Sequence, residues 1–348
     1  MGKVKTFAIL YDRPTYSCGE LVSGRVVVEL TEQIRVKALK IHAKGQAFVH
    51  WAEMDTSSET NEIQHYIQQL RYFKHKHMLI GTESSAEVTM LTSGRHEYPF
   101  SLVLPQAPPV PSSFKGRHGY VNYWMTAKLH RPWKLRTKVK EPFTVLNQID
   151  VRAPGPLLEP LSVMDEKTIC CCCCASGPVV LNAKIDRKGY VPGETIQVFA
   201  EIENHSSRKV NPTAAIFKTI TYHAKFKKNT SSELVTKIQG EAVLARQKDS
   251  RITMLLKIPE VPPTLMYCTI IQMEYSIQVS VQIPRATNLT VNLPIVIGTL
   301  PKHPYAEPAG DFNVHYGMDY SGVNQALPVG PEVRAGFIVN NKNTGFYS

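Results

Sequence analysis

The sequence predicts an all-β protein built from two related β-sandwiches in tandem, and three observations favour this fold. Apolar and polar residues alternate along much of the chain with the two-residue period of half-buried strands. Proline, glycine and asparagine interrupt these stretches at short intervals, which favours antiparallel sheets over a parallel α/β sheet. The two halves also contain similar turns and strands in the same order, as expected for a duplicated domain.

The alternation is clearest around residue 280, where one strand face is apolar and the other is polar. The apolar face consists of Tyr275, Ile277, Val279, Val281 and Ile283. The same period occurs in Val121–Leu129, Ile196–Ile202, Ile216–Phe226 and Leu289–Ile295. At residues 63–70 the apolar spacing also fits a helix, so helix and strand both stay open for that segment.

Each half opens with a Tyr-x-x-Gly-Glu turn that leads into an apolar strand. The turn is Tyr16–Glu20 in the first half and Tyr190–Glu194 in the second. A Val-Pro pair precedes a tyrosine-containing strand at similar distances in both halves. These pairs are Val110-Pro111 before Tyr123 and Val261-Pro262 before Tyr275. The repeat therefore predicts two copies of one β-sandwich.

The repeat divides the chain into four predicted parts. The first sandwich is expected at residues 1–150 and the second at 177–300. Residues 151–176 contain prolines and a run of cysteines and are expected to form a linker. Residues 301–348 lose the alternation and are expected to form a flexible tail.

Composition narrows the class of protein further. The 348 residues include 40 Lys and Arg against 29 Asp and Glu, a formal charge of +11 that favours anionic partners. No apolar run approaches the roughly 18 residues of a membrane span, and the first residues lack the apolar core of a signal peptide. Five of the seven cysteines are Cys170 to Cys174, which is not the pattern of a disulfide scaffold. We therefore expect a cytoplasmic protein.

Several stretches resemble the arrestin domain-containing proteins, or alpha-arrestins, and in particular a vertebrate group of that family. In the first half these are Ile34–Ala43, Ser93–Phe100, Gly116–Gly119 and Leu129–Trp133. In the second half they are Ile185–Tyr190, Phe199–Asn204 and Leu293–Gly298. The resemblance implies two arrestin-type immunoglobulin-like β-sandwiches, which agrees with the repeat.

The resemblance also implies a function without catalysis and without a cofactor. Such a protein would be a trafficking adaptor that binds cytoplasmic regions of membrane receptors or transporters and regulates their endocytosis, sorting or ubiquitination. It would be cytoplasmic, with peripheral association to the plasma membrane and endosomes. Family members reach ubiquitin ligases through Pro-Pro-x-Tyr motifs. Neither Pro108-Pro109 nor Pro262-Pro263 has the tyrosine, so the alternative is a ligase-uncoupled regulator that acts through or against a paralogue with the motif.

An enzyme is the alternative from another class. The common hydrolase, nucleotide-binding and zinc motifs do not occur in the sequence. The one metal-like feature is His75-Lys76-His77 with Glu83 downstream, whose two histidines would share a strand face in a metal-dependent β-barrel enzyme. The neighbouring Arg71, Lys74 and Lys76 would repel a cation, so we expect a solvated basic strand face and no metal site.

Two segments are candidates for lipid attachment. The thiols of Cys170, Cys171, Cys172, Cys173 and Cys174 are candidates for S-acylation; alternatively, Ile169–Ala175 enters a strand and buries some of them. Gly2 lies in a short pattern that fits N-myristoylation, and Lys3–Leu10 resembles the first strand of the family.

Basic residues cluster between Lys128 and Lys140 and in the preceding loop. On alternating strand positions they would form a positive stripe that contacts phosphorylated or acidic receptor tails or an anionic membrane surface. The candidate contacts are Lys115, Arg117, Lys134, Arg136 and Lys138. The alternative is a solvated face that maintains solubility. Nucleic acid is not an expected partner, because Trp124 and Trp133 are expected at core or corner positions.

Overall fold

A computed structural model describes residues 3–54, 62–81, 88–171 and 174–299, and β-strands account for nearly all regular structure in these ranges. The first sandwich contains β1 (Val4–Tyr11), β2 (Thr15–Tyr16), β3 (Leu21–Leu30), β4 (Ile34–Val36), β5 (Ala38–Met54), β6 (Ile63–Ile80), β7 (Thr89–Leu91), β8 (Gly94–Val103), β9 (Phe114–Lys115), β10 (Gly119–His130) and β11 (Thr137–Val145). The second contains β12 (Leu161–Cys171), β13 (Cys174–Ile185), β14 (Gly189–Tyr190), β15 (Thr195–Asn204), β16 (Asn211–Ala224), β17 (Lys227–Gln239), β18 (Ser250–Lys257), β19 (Ile271–Gln282) and β20 (Leu289–Ile297). No helix in the described ranges is long and apolar enough to cross a membrane.

Each sandwich packs a smaller sheet against a larger one. In the first, the sheet β1-β3-β8 faces the sheet β2-β11-β10-β5-β6, and β4 pairs with β7. In the second, the sheet β12-β13-β15-β18 faces the sheet β14-β20-β19-β16-β17. Most neighbours are antiparallel; the short strands β2 and β14 pair in parallel with β11 and β20. The predicted pair of β-sandwiches is confirmed.

The predicted repeat is confirmed at the level of individual hydrogen bonds. The backbone N–H of Ser17 donates to the Glu20 carboxylate at 2.9 Å, and that of Val191 donates to the Glu194 carboxylate at 3.0 Å. These bonds close the two Tyr-x-x-Gly-Glu turns in the same way, because a carboxylate three residues on reaches back to a free backbone donor.

The two Val-Pro pairs also have equivalent roles. The hydroxyl of Tyr123 donates to the carbonyl of Pro111 at 2.7 Å, and that of Tyr275 donates to the carbonyl of Pro262 at 2.7 Å. Both tyrosines are buried, so each hydroxyl needs such an acceptor. Tyr123 on β10 therefore corresponds to Tyr275 on β19, which aligns these two strands and the strands paired with them.

The structure corrects one predicted segment and decides between the two alternatives for another. Residues 151–176 are not a linker throughout, because Leu161–Cys171 forms β12 and pairs with β13 over most of its length. The alternation of Leu161, Val163 and Ile169 explains this pairing, since these side chains pack on the core of the second sandwich. Residues 63–70, left open between helix and strand, belong to β6. The predicted tail, 301–348, lies outside the described residues.

The two sandwiches share apolar contacts. Tyr222, Ile271 and Met273 of the second sandwich are buried in the same cluster as the core of the first. The hydroxyl of Tyr72 donates to the Cys268 sulfur at 3.3 Å across this junction. Residues 3–299 thus form a continuous packed structure in their described parts.

Gly45 lies where strands β5 and β6 change register. A β-bulge follows it, so that Gly45 pairs with Phe73 while Gln46 pairs with Arg71. A Cβ atom on Gly45 would lie 2.6 Å from ring atoms of both Phe73 and Tyr123. The absence of a side chain therefore allows these two rings to stack at a centroid distance of 5.9 Å.

We expect Gly45→Ala to lower the free energy of unfolding by roughly 1–3 kcal/mol, because overpacking displaces two buried rings. Gly240→Ala is the matched control, since its nearest contacts are 3.1 Å away, at the Cγ2 methyl of Ile252 and the sulfur of Met254, and no ring lies among its nearest contacts. Urea unfolding of both variants measures the difference. A loss in Gly45→Ala no greater than in Gly240→Ala would contradict this account.

Candidate functional site

Four neighbouring strands, β11, β10, β5 and β6, turn one face away from the core of the first sandwich, and this face is rich in cations. The two-residue period buries Ile41, Ala43 and Met125 and places the residues between them on the outer side. We call this surface the basic sheet face, and its members are Lys40, His42, Lys44, Arg71, Lys74, Lys76, Lys128, Lys138 and Lys140.

The strand register aligns these residues in rows across the sheet. Lys138 lies opposite Lys128, and Lys128 lies opposite Lys40, so one row holds three lysines from three strands. Lys44 likewise lies opposite Lys74. Directly opposed side chains on antiparallel strands have Cβ atoms about 4.5–5.5 Å apart, and like charges there are destabilising. Repulsion within these rows therefore lowers the stability of the sheet.

Acidic partners do not offset this cost in the described part of the chain. No Asp or Glu occupies the outward positions of β5 from Lys40 to Phe48 or of β10 from Tyr120 to His130. Among the described residues, Lys40, Lys44 and Lys128 take part in none of the ion pairs. The rows thus carry positive charge that is available to an anion.

The field of this face acts on a histidine at its centre. Burial, and then the neighbouring charges of Lys128 and Lys76, lower the pKa of His42 to about 4. Burial and the charge of Lys74 also lower the pKa of Lys44. His42 is therefore neutral near pH 7, and an anion on the face would raise its pKa by offsetting the charges of the lysines.

An aromatic side chain completes the face. The Lys140 ammonium lies 4.0 Å from the centroid of the Trp124 ring, a cation–π contact on the outer side of the sheet. Trp124 is half-buried rather than part of the core. The face thus combines cations with a flat apolar surface.

The second sandwich shows that this fold does not require the charge. The alignment of Tyr123 with Tyr275 places Ser280 where the first sandwich has Lys128, and Thr290 where it has Lys138. The hydroxyls of Ser280 and Thr290 hydrogen-bond each other at 2.9 Å. At equivalent positions, the second sandwich thus has two neutral residues that hydrogen-bond each other, and the first has two lysines that face each other.

The sequence prediction located this charge only in part. Lys138 belongs to the basic sheet face, whereas Lys134 and Arg136 lie in the loop that follows His130. Lys115 and Arg117 lie at the opposite end of β10, beside Gly119. Since β10 has 12 residues, the two groups are about 35 Å apart. The five candidate contacts therefore do not share one surface, although Lys128, Lys138 and Lys140 of the predicted stripe do, and contact of the five residues with an anion stays a prediction.

The remaining members of the face come from β5 and β6, which the prediction did not connect to it. Lys40 and Lys44 alternate with buried residues, so their outward direction was visible in the sequence. Their approach to Lys128 and Lys138 depends on which strands are neighbours, and this information is absent from a single strand. Arg71 joins the face only because of the bulge after Gly45.

Two other predictions concerned Trp133 and the histidines. Trp133 is not at a core or corner position but fully exposed, so it gives no reason to exclude nucleic acid. His75 and His77 share one face of β6, as their spacing predicted. Glu83 lies outside the described residues, and no cluster of three His, Cys, Asp or Glu in the described part of the chain could hold a metal ion.

The candidate lipid-attachment sites are not tested by the structure. The backbone enters and leaves the cysteine run through β12 and β13, in agreement with the strand alternative for this segment. The thiols of Cys170 to Cys174 and the N-terminal Gly2 lie outside the described part of the structure, so S-acylation and myristoylation stay predictions.

Comparison with known proteins agrees with the fold and the repeat. The family described as "Arrestin (or S-antigen), N-terminal domain" matches residues 7–152, and "Arrestin (or S-antigen), C-terminal domain" matches residues 175–302. The chain is 35% identical over 336 residues to arrestin domain-containing protein 4 of Homo sapiens, covering 95% of this chain and 80% of that protein. It is 34% identical over 302 residues to thioredoxin-interacting protein of Homo sapiens, covering 85% and 75%. The chain therefore belongs to the arrestin family, in its arrestin domain-containing, or alpha-arrestin, branch.

Proposed function

We propose that the protein is a non-catalytic trafficking adaptor that binds phosphorylated or acidic cytoplasmic tails of membrane receptors or transporters on its basic sheet face. Membership of the arrestin family supports a regulatory adaptor in general. The observation that carries the specific proposal is the row of Lys40, Lys128 and Lys138, which opposes like charges without acidic partners in the described residues. By this binding the protein would regulate the endocytosis, sorting or ubiquitination of its cargo.

The chemistry of the face fits such a tail. Phosphate and carboxylate oxygens accept charge-assisted hydrogen bonds from ammonium groups, which are stronger than bonds between neutral partners. An extended peptide that runs along the strands would meet cations in consecutive rows. We place the adaptor in the cytoplasm, at the plasma membrane and on endosomes, with ubiquitin ligases reached indirectly because neither Pro-Pro pair precedes a tyrosine motif.

The double variant Lys128→Ser/Lys138→Thr copies the residues that the second sandwich has at the same positions. We expect it to weaken binding of a triply phosphorylated serine peptide at least about tenfold, because two charged donors are lost. Its free energy of unfolding should be unchanged or higher by roughly 0.2–1 kcal/mol, because an opposed pair of like charges is removed. Fluorescence polarisation and urea unfolding measure the two effects.

The matched control is Lys184→Ser/Lys257→Thr, which removes the same net charge from exposed strand positions of the second sandwich. It should leave peptide binding unchanged. Equal weakening in both variants, or equally tight binding of a single-stranded oligonucleotide of the same charge, would show general attraction between polyanion and protein and would contradict the proposal.

His42 reports occupation of the face directly. Its pKa of about 4 lies below the value of an unfolded chain, so between those values the unfolded state binds more protons and stability rises with pH. A bound phosphopeptide favours the protonated imidazole and should raise the pKa of His42, as measured by NMR titration of its ring carbons. An unchanged His42 titration in the presence of saturating phosphopeptide would mean that the peptide binds elsewhere.

A further inference from the structure

The loop between β10 and β11 exposes two large apolar side chains at its tip. Residues 131–134 form a β-turn, in which the backbone N–H of Lys134 donates to the carbonyl of Arg131 at 3.4 Å. Trp133 has a relative exposure of 101% and Leu135 of 93%. Exposure of apolar side chains of this size to water is unfavourable, and contact with another apolar phase would remove this cost.

Cations surround these two side chains. Lys134 and Arg136 alternate with them along the loop and are exposed, and Lys138 follows at the start of β11. None of these three takes part in an ion pair within the described ranges of the chain. Arg136 also contributes, after burial, to the lowered pKa of His130, which places its charge at the end of the sheet. The loop is thus an apolar tip within a positive collar.

The equivalent loop of the second sandwich shows which side chains the backbone geometry of the turn allows. There the backbone N–H of Ala286 donates to the carbonyl of Ile283 at 3.2 Å, and Arg285 has a φ of 55° against 56° for Trp133. The turn is the same, and it accepts an arginine at the position of Trp133 and Thr287 at the position of Leu135. Turn geometry therefore does not explain the two apolar side chains.

We propose that the loop formed by residues 131–136 docks on an anionic lipid bilayer, with Trp133 and Leu135 in the interfacial layer and the adjacent cations on lipid phosphates. A tryptophan suits this layer because its ring is apolar and its indole N–H is polar. Basic residues near an anionic leaflet add to the attraction, and apolar and electrostatic contributions together give stable attachment.

The shape of the loop favours a bilayer over a peptide. The two apolar side chains project from a convex tip, and their near-complete exposure means that neighbouring atoms form no groove around them. A peptide side chain needs a concave site, whereas a lipid surface accepts a projecting one. Lys138 belongs to both surfaces, but Trp133 and Leu135 are not part of the basic sheet face, so loss of the apolar contact and loss of cargo binding can be told apart.

Vesicle flotation of the full chain tests the inference. The probe is a vesicle of 70% phosphatidylcholine and 30% phosphatidylserine, with pure phosphatidylcholine as reference. Trp133→Ser/Leu135→Thr should lower the partition coefficient roughly tenfold, because the apolar contact is lost. Both side chains are exposed, so the variant should unfold at the same temperature as the parent protein and should bind phosphopeptide unchanged in the absence of vesicles.

Trp133→Arg separates insertion from simple charge attraction. It installs the residue of the equivalent turn and adds one positive charge, which by itself would strengthen vesicle binding about fivefold. Insertion predicts weaker binding in spite of that charge. Stronger binding of Trp133→Arg, or no effect of Trp133→Ser/Leu135→Thr, would overturn the proposal.

Phe226→Ser provides the matched control, because Phe226 is also fully exposed and lies between lysines. Lys227 beside it pairs with Glu53 at 3.1 Å, close to the far end of β5, about 50 Å along that strand from the loop. This variant should float like the parent protein. A loss equal to that of Trp133→Ser/Leu135→Thr would indicate nonspecific apolar adsorption and would contradict docking by the loop.

Discussion

The long ladder between β10 and β5 is the constraint on which the rest of the first sandwich depends. It joins every residue from Gly119 to His130 with its partner from Val49 to Ala38 without interruption. Because side chains on a strand alternate between two faces, this single register decides both the core and the charge. A slip of one residue would bury the lysines and expose the apolar side chains, so burial of Ile41, Met125 and Leu129 holds the cations on the outer face.

Much of the fold could be predicted from the sequence, because alternation and turn residues are local signals. The repeat was visible in its two Tyr-x-x-Gly-Glu turns, and the structure shows why they persist: each closes on its own glutamate. The candidate site was predicted less well. Lys40 and Lys128 are far apart in sequence and become neighbours only through strand pairing, and Trp133 lies in a loop where no period indicates exposure.

The two sandwiches have the same architecture but differ in the charge of the equivalent sheet face. They share turns, tyrosine hydrogen bonds and sheet order, so this common architecture does not require the lysine rows that only the first sandwich has. Where the second copy has Ser280 and Thr290 hydrogen-bonded to each other, the first has lysines that repel. Repulsion between exposed charges is screened by salt, with a Debye length of about 8 Å at physiological ionic strength. Charge is therefore tolerated on the face at modest cost in stability, and it remains available to a ligand.

Under the proposed docking of the loop at residues 131–136 on a bilayer, the closeness of this loop to the first row of cations would determine which part of a cargo tail reaches the basic sheet face. The row containing Lys128 lies two residues from the end of β10, and the row containing Gln46 and Arg71 lies about 20 Å farther along the strands. With the loop in the headgroup layer and the strands upright, a polypeptide leaving the bilayer would reach the first row within about three extended residues and the last within about ten. Phosphates or carboxylates directly next to a transmembrane segment would then contact the cations. Those at the end of a long tail would not reach them unless the tail folds back.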